Sequence, residues 1–522
     1  MTMESKMTME SKMTMEFKTP KTTIRLPDWP WRAVLRLADE RGARIWLVGG
    51  AVRDALLERS VHDWDFAVDG NALGLARAVA DALDGAYFPL DVERGAGRVI
   101  LTDADAARLE LDFAMLRGAD LEADLSTRDF TINALAIDET GALLDLVGGQ
   151  ADLDARCIRA TNERAFLDDP VRLLRAVRME AGLGFEIEPQ TLAWIRRDAA
   201  LLALPSAERV RDEFVRLLAA QDAVTYLQRL DEFGLLPHVL PELESLKDIT
   251  QSEPHRFDVW RHTLLIVDTL ERVVAVATRK DVEPRTLAGV PPAAWGDLAR
   301  SLGQFADDVA THLAVEVSSG RDRAGLLKLA ALLHDIGKLK TWSQDEDGRI
   351  HFYNHELLGA QMAATRLQEL RFSRDEVDRM RVLVGQHMRP AHLARAERVT
   401  RRAVYRYFRA TGCAGVDVVL LSLADHLSTW GPDLSEPRWA RRLEVAETLL
   451  THCFERYEET VDPPPLVTGH DLMSELGLVP GPEIGRLLET LREAQAAGEV
   501  RTRAEAVALA RRRRPASVVG GH

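Results

Sequence analysis

Two short stretches carry residues whose types and spacing could do chemistry. The first is LVGGAVRDALLERSVHDWDF, residues 47–66. Asp63 and Asp65 stand at i and i+2 of a run that reads as a strand, so both carboxylates leave one face. Carboxylates held that close repel unless a divalent cation lies between them. Mg²⁺ favours such oxygen ligands and keeps substrate phosphates in its shell. Asp112, in RLELDFAML, belongs to another expected strand. Three carboxylates on adjacent strands can hold two metals for in-line attack on an α-phosphate. Gly49 and Gly50 turn an apolar run into a helix, where glycine lets a phosphate approach the backbone and the helix start supplies N–H donors.

The second stretch is LLHDIGKLK, residues 332–340, an apolar helix ending on adjacent His334 and Asp335. His262 in DVWRHTLLIVDTL, His355 in HFYNHELLGA, His387 in LVGQHMRP and Asp425 in LLSLADHLSTW complete a set. His262 and Asp425 sit in apolar helical text, where an unpaired polar group costs free energy. A shared metal removes that cost, because neutral imidazole and carboxylate are standard ligands. An imidazole-rich set favours a divalent transition metal. A lone core histidine is usually satisfied by a hydrogen bond; six ligand-type residues are not explained that way. Lys338 either meets a phosphate or is solvated beyond the helix end.

Elements must position these groups. RIWLVGG, WDFAV, RVILTD, RLELDFAML and NALAID read as strands, rich in Val, Ile, Leu and Phe and bounded by Gly, Asp and Arg. Residues 71–83 read as a helix between them, so residues 23–150 form an α/β or α+β head. From about 161 the text is helical, with no further strands of note. In DDPVRLLRAVRMEAGLG, Asp168 is expected as N-cap, with Asp169 in the first turn and Pro170 near N1. Asp169 and Arg172, at i and i+3, would then share a helix face. A neck over 151–222, a larger helical domain over 223–460 and a last helical module over 461–522, after Pro463–Pro465, are expected.

The chain has 522 residues, more than one core holds. Residues 1–22, which include a hexad repeated three times (MTMESK, MTMESK, MTMEFK), are expected to be a disordered tail without the apolar segment of a signal peptide. No run of about 18 apolar residues is apparent, so no membrane association is expected. Three scattered cysteines suit a reducing cytoplasm better than a disulfide framework. The net charge of −15 disfavours a generally basic surface but leaves room for local basic stripes at 172–178, 379–390, 398–409 and 511–514. Each stripe is by itself more simply a solvated helix face.

The first stretch resembles the signature of class II tRNA nucleotidyltransferases and bacterial poly(A) polymerases: Gly-Gly, Val-Arg-Asp, then Asp-x-Asp. TRDFTINA at 127–134 resembles the next family motif, with Thr127 where that motif begins with arginine. DDPVR at 168–172 resembles the third, with Asp168 in place of Glu, and SAERVRDE at 206–213 the fourth. The resemblance implies an α+β protein: a nucleotidyltransferase head with a small mixed sheet, then an all-α neck, HD domain and C-terminal module. Gly49, Gly50 and Arg53 would hold the triphosphate; Asp63 and Asp65, with Asp112 as a third carboxylate, would be catalytic. Arg128, Asp129 and Asn133 would face the incoming nucleotide, and Asp169 and Arg172 would present hydrogen-bonding edges to C and A. Arg175, Arg178 and Arg209 join the nucleotide-binding set.

The implied activity is addition of C, C and A to the tRNA 3′ end from CTP and ATP; A-only, CC-only or poly(A) addition are the alternatives within the family. An HD phosphohydrolase with an RNA-binding head is the alternative outside it. Residues 85–101 resemble the family's flexible loop, which favours an enzyme able to add the final A. The His-Asp set resembles HD-domain metal-dependent phosphohydrolases. The last module resembles the C-terminal segment of HD-containing relatives; its VPGPEIGRLL stretch starts a helix that either meets RNA phosphates or packs internally. The expected partners are tRNA, CTP and ATP, with no obligate protein partner.

Overall fold

A computed structural model describes residues 14–18, 23–61, 63–102, 108–280 and 287–513. The chain divides into two compact units, residues 1–205 with 233–235, and residues 206–232 with 236–522.

In the first unit, β1 (Thr14–Lys18) pairs antiparallel with β2 (Thr23–Pro27). The disordered-tail expectation is corrected at Thr14–Lys18; the rest of residues 1–22 lies outside the described residues. Helix α1 (Asp28–Asp39), β3 (Arg44–Val48), α2 (Gly50–Leu56), β4 (Asp63–Asp69) and α3 (Ala72–Leu83) follow. Then come β5 (Ala86–Asp91), β6 (Ala96–Thr102), β7 (Arg108–Met115), α4 (Leu121–Ser126), β8 (Leu135–Ile137) and β9 (Leu143–Asp145). One mixed sheet holds seven strands in the order β5-β6-β7-β4-β3-β8-β9, with β4 and β7 parallel.

Strand alternation sorts β4 by face. Trp64, Phe66 and Val68 are buried on one side, where Phe66 stacks on Trp31 at 6.0 Å and on Phe113 at 4.9 Å. Burying each such phenylalanine contributes roughly 2–3 kcal/mol. The intervening residues Asp63 and Asp65 therefore leave the other side. Helix α3 covers the aromatic side with Ala72, Leu75, Ala76, Val79 and Ala80, a helical stripe started by the Asn71 cap on Gly74 N–H. Strand β5 falls where a mobile loop was expected. Its Pro89 costs the ladder little because β5 is an edge strand.

Next, β10 (Cys157–Ile158), α5 (Ala165–Asp168), α6 (Arg172–Leu183) and β11 (Glu186–Ile187) carry the third motif, and β10 and β11 pair in parallel. The expected single helix start is corrected. Asp168 closes α5 and Asp169 is extended at φ −151° and ψ 95°, so the chain bends before α6 begins. Gly184 ends α6 in the left-handed region at φ 67°, which glycine adopts freely.

The second unit is helical. The helices that bear on its chemistry are α7 (Ala207–Leu218), α8 (Val259–Ala277), α9 (Arg323–Leu333), α10 (His355–Glu369) and α11 (Arg374–Gln386), then α12 (Arg401–Thr411), α13 (Gly415–Trp430) and α14 (Pro482–Ala496). Short strand pairs, β12 (Glu316–Ser318) with β13 (Arg321–Asp322) and β14 (Trp342–Gln344) with β15 (Ile350–Phe352), lie beyond 161, where no strands of note were expected. Residues 401–433 contain one window apolar enough to cross a membrane, and 78% of that window is buried inside the protein, as in a core helix.

Arg401, Arg402, Arg406 and Arg409 of the stripe at 398–409 are ion-paired. Arg402 and Arg406 bind Glu493 at 3.0 and 2.7 Å, Arg409 binds Glu489 at 3.0 Å and Arg401 binds Glu459 at 3.0 Å. Glu489 and Glu493 lie on α14, so basic α12 is the seat of the last module.

Candidate functional site

In the head, Gly49 sits between β3 and α2 at φ 78°. A Cβ there would come within 3.1 Å of both Arg128 Nη1 and Asp65 Oδ2, so glycine lets those two groups approach the turn. Asp63 is exposed and Asp65 half-buried. Burial raises the Asp65 carboxyl above its ordinary range. Asp112 and Asp63 add to the rise, and Arg128 and Arg175 oppose it. A cluster of mutually repelling carboxylates of this kind fits a divalent cation. Asp112 stands directly opposite Asp65 in the β4–β7 register. Both its oxygens accept from Arg98, at 2.8 Å from Nε and 2.7 Å from Nη2.

The three motifs are joined by one chain of hydrogen bonds. Arg53 holds Asp54 through Nε and Nη2 and donates through Nη1 to Asn133 Oδ1 at 2.6 Å. Asn133 Nδ2 donates to Asp129 Oδ1 at 3.0 Å, and Arg175 Nε lies 2.8 Å from Asp129 Oδ2. Burial would raise Asp129, but Arg175, Asn133 and the Phe130 N–H together hold it below the ordinary carboxylate value. Arg128 is oriented by the buried Asp124, at 3.1 and 3.0 Å.

Arg172 departs from its expected place. It is buried, donating to the carbonyls of Thr127 at 2.8 Å, Ala165 at 3.1 Å and Arg128 at 3.4 Å, so its guanidinium ties α6 to the second motif. Asp169 lies in the bend before α6 and does not share a helix face with it. Arg178 is half-buried on α6. Arg209 is exposed on α7, in the second unit.

In the second unit, α8, α10 and α13 and the C-terminal ends of α9 and α11 bring all six expected ligands to one buried centre. His262, His334 and Asp335 offer atoms within 4.8 Å of one another, and so do Asp335, His355 and His387. Asp335 belongs to both groups. Asp425 Oδ1 lies 3.3 Å from His262 Nε2. Nδ1 of His334, His355 and His387 faces the carbonyl of Ala331, Phe352 and Val384 at 2.8, 2.9 and 2.7 Å. Donation there leaves each Nε2 lone pair for the centre, as metal-binding imidazoles require. Gly337 permits this convergence: a Cβ there would lie 2.0 Å from the His355 carbonyl oxygen.

Burial lowers His262, and it lowers His387 to about 3. At His334 the effect of burial is outweighed by Asp335 and Asp425, which raise it. Burial would raise Asp335, but His334 and Lys338 hold it well below the usual range. Lys338 is buried, 2.6 Å from Asp335 Oδ2 and 2.6 Å from Gln251 Oε1, not solvated. The donor set fits a nitrogen-rich metal centre.

Sequence reasoning missed Gln251, Arg98 and His255. The His255 ring lies 4.8 Å from that of His262, and burial lowers it to about 3. Its sequence signal was a histidine just ahead of Asp258, the cap of α8. That of Arg98 was one charged residue inside an apolar strand.

Comparison with known proteins gives four domain matches along the chain. Residues 45–159 match "Poly A polymerase head domain", 184–247 "Probable RNA and SrmB- binding site of polymerase A", 298–430 "HD domain", and 438–510 tRNA nucleotidyltransferase domain 2. An A-adding tRNA nucleotidyltransferase of Deinococcus radiodurans is 37% identical over 473 residues, 89% of this chain and 94% of that protein. A CC-adding tRNA nucleotidyltransferase of Geobacter sulfurreducens is 35% identical over 486 residues, 91% and 93% of the two chains. The fold is shared with a Thermotoga maritima CCA-adding enzyme solved in complex with tRNA, at a TM-score of 0.54 and 20% identity over 97% of this chain and 98% of that one. With head, neck, HD domain and last module matched in order, the chain belongs to the tRNA nucleotidyltransferase and poly(A) polymerase family with a fused HD domain, and it is a nucleotidyltransferase.

Proposed function

We propose that this enzyme builds the CCA end of tRNA, the final A included, from CTP and ATP. The observation that supports this most is the placement of Asp63 and Asp65 on the open face of β4, beside the Gly49 turn and Arg128. Gly49, Gly50, Arg53 and Arg128 bind the triphosphate, and the Arg53–Asn133–Asp129–Arg175 chain fixes the floor beneath the nucleotide. Asp169 offers a carboxylate edge to the exocyclic amine that C and A share. Arg172 supports that edge by holding the bend in place. Mg²⁺ held by Asp63 and Asp65 supplies charge neutralisation at the α-phosphate and lowers the pKa of the tRNA 3′-hydroxyl.

The test is extension of tRNA transcripts that end before CCA, after C and after CC, with CTP, ATP or both. Full CCA addition requires C on the first two and A on the third. A second reading, A-only addition, is favoured by the 37% identity to an A-adding relative over 94% of its length. It predicts extension of the CC-ended transcript alone.

For the HD centre we propose metal-dependent phosphohydrolysis with a divalent transition metal held by His262, His334, Asp335, His355, His387 and Asp425. The three cysteines, all free, suit a reducing cytoplasm.

A further inference from the structure

The register of the sheet draws a line across its active face. Asp65 is paired with Asp112 in β7, Asp112 with Arg98 in β6, and Arg98 with Phe88 in β5. Residues directly opposite one another in adjacent strands leave the same face. Asp65, Asp112, Arg98 and Phe88 therefore form one cross-strand row, with Phe88 three strands, or about 14 Å, from Asp65. Phe88 is 48% exposed, whereas its neighbour Tyr87 pairs with Val99 and packs on the core side. The phenyl ring thus adds little to the core. Leu90 and Val92, also exposed, continue the apolar strip toward the hairpin turn, where Arg94 lies 3.6 Å from Asp91.

The two sides of Asp65 are unlike. Gly49, Gly50 and Arg53, the triphosphate side, lie at the β3 end. In-line displacement puts the attacking hydroxyl opposite the leaving pyrophosphate. An acceptor strand lying on the side away from the triphosphate turn would pass over β7, β6 and β5, where Phe88 is exposed. An aromatic face stacks any base.

We propose that Phe88 is a stacking platform for a base of the single-stranded 3′ end of the acceptor RNA. The inference rests on the reading that the head extends RNA. Its test uses the full-length protein and a transcript ending in CC, with 2-aminopurine at the penultimate position.

Phe88→Ala is expected to raise the KM for the transcript about tenfold while the KM for ATP stays unchanged, in keeping with what a stacked base contributes. It is also expected to abolish the quenching of 2-aminopurine on binding, which Phe88→Trp retains. A merely structural role would lower the melting temperature without removing the quenching selectively. Unchanged quenching and transcript KM in Phe88→Ala would overturn the proposal. So would a rise in the KM for ATP alone, which would place the incoming nucleotide on the ring. If the wild type extends no RNA, the reading of the head fails, and the quenching comparison still decides whether Phe88 stacks a base.

Discussion

The molecule carries two acidic centres built in opposite ways. In the head, Asp63 is exposed and Asp65 half-buried on one face of a strand, and the cluster consists of carboxylate oxygens. In the HD centre, His334, Asp335 and His387 are almost wholly buried among helices, and imidazole nitrogens predominate. An open oxygen site suits a cation that arrives and leaves with the nucleotide. A closed nitrogen site, with each Nδ1 already fixed by a carbonyl, suits one that stays.

The largest test of that contrast is Asp65→Ala. It should cut nucleotide addition on the order of a thousandfold, the equivalent of several kcal/mol of lost charge stabilisation, and leave metal in the HD domain untouched. Substantial extension by this variant, assayed on transcripts with ATP and CTP, would mean that the head does not depend on the carboxylate pair. The converse is Asp335→Ala, which removes the ligand common to both halves of the HD centre. Metal content after dialysis, and any hydrolysis of cyclic or linear phosphodiesters, should fall to background while nucleotide addition stays at the wild-type rate. A wild type that retains no metal and hydrolyses neither would refute retention at that centre.

Smaller effects sharpen the picture inside the head. Asp169→Ala should lower the preference for C and A over U and G about tenfold, the cost of one good base contact. An equal fall for all four nucleotides would remove it from base selection. Arg172→Ala should instead destabilise the first unit by about 2 kcal/mol, since it strips a charged donor from the carbonyls of Thr127 and Ala165. Chemical denaturation with an unchanged m-value is the measurement. The smallest effect is at Arg406→Ala, where an exposed pair with Glu493 is lost and the change should stay below about 1 kcal/mol.

Much of this was legible in the sequence. Asp63 and Asp65 could be assigned to one strand face because period-two alternation needs no tertiary information. The six residues of the second centre stood out because His262 and Asp425 lie in apolar helical text, and His334–Asp335, His355 and His387 completed a ligand-type set. Strand β5 was not legible: Pro89 and Asp91 read as loop text, and only pairing with β6 makes it an edge strand. The bend at Asp169 was hidden for a related reason. Asp-Asp-Pro reads equally well as a cap on one helix or as the end of another, and α5 wins that competition through buried Ala165 and Phe166. The internal bond between Arg98 and Asp112 depends on strand order, which no local pattern contains.

The acidic seat beneath α12 has a consequence for how this enzyme meets a polyanion. Four of its arginines, a run that looks in sequence like a phosphate-binding strip, already have carboxylate partners in the same unit. An arginine that keeps its carboxylate partner neutralises no phosphate, so it releases few of the counterions condensed on the RNA. The salt dependence of tRNA affinity should therefore be set elsewhere on the protein, and neutralising α12 should leave its slope unchanged. For a chain of net charge −15, this shifts RNA recognition away from bulk electrostatic attraction and toward a few defined contacts.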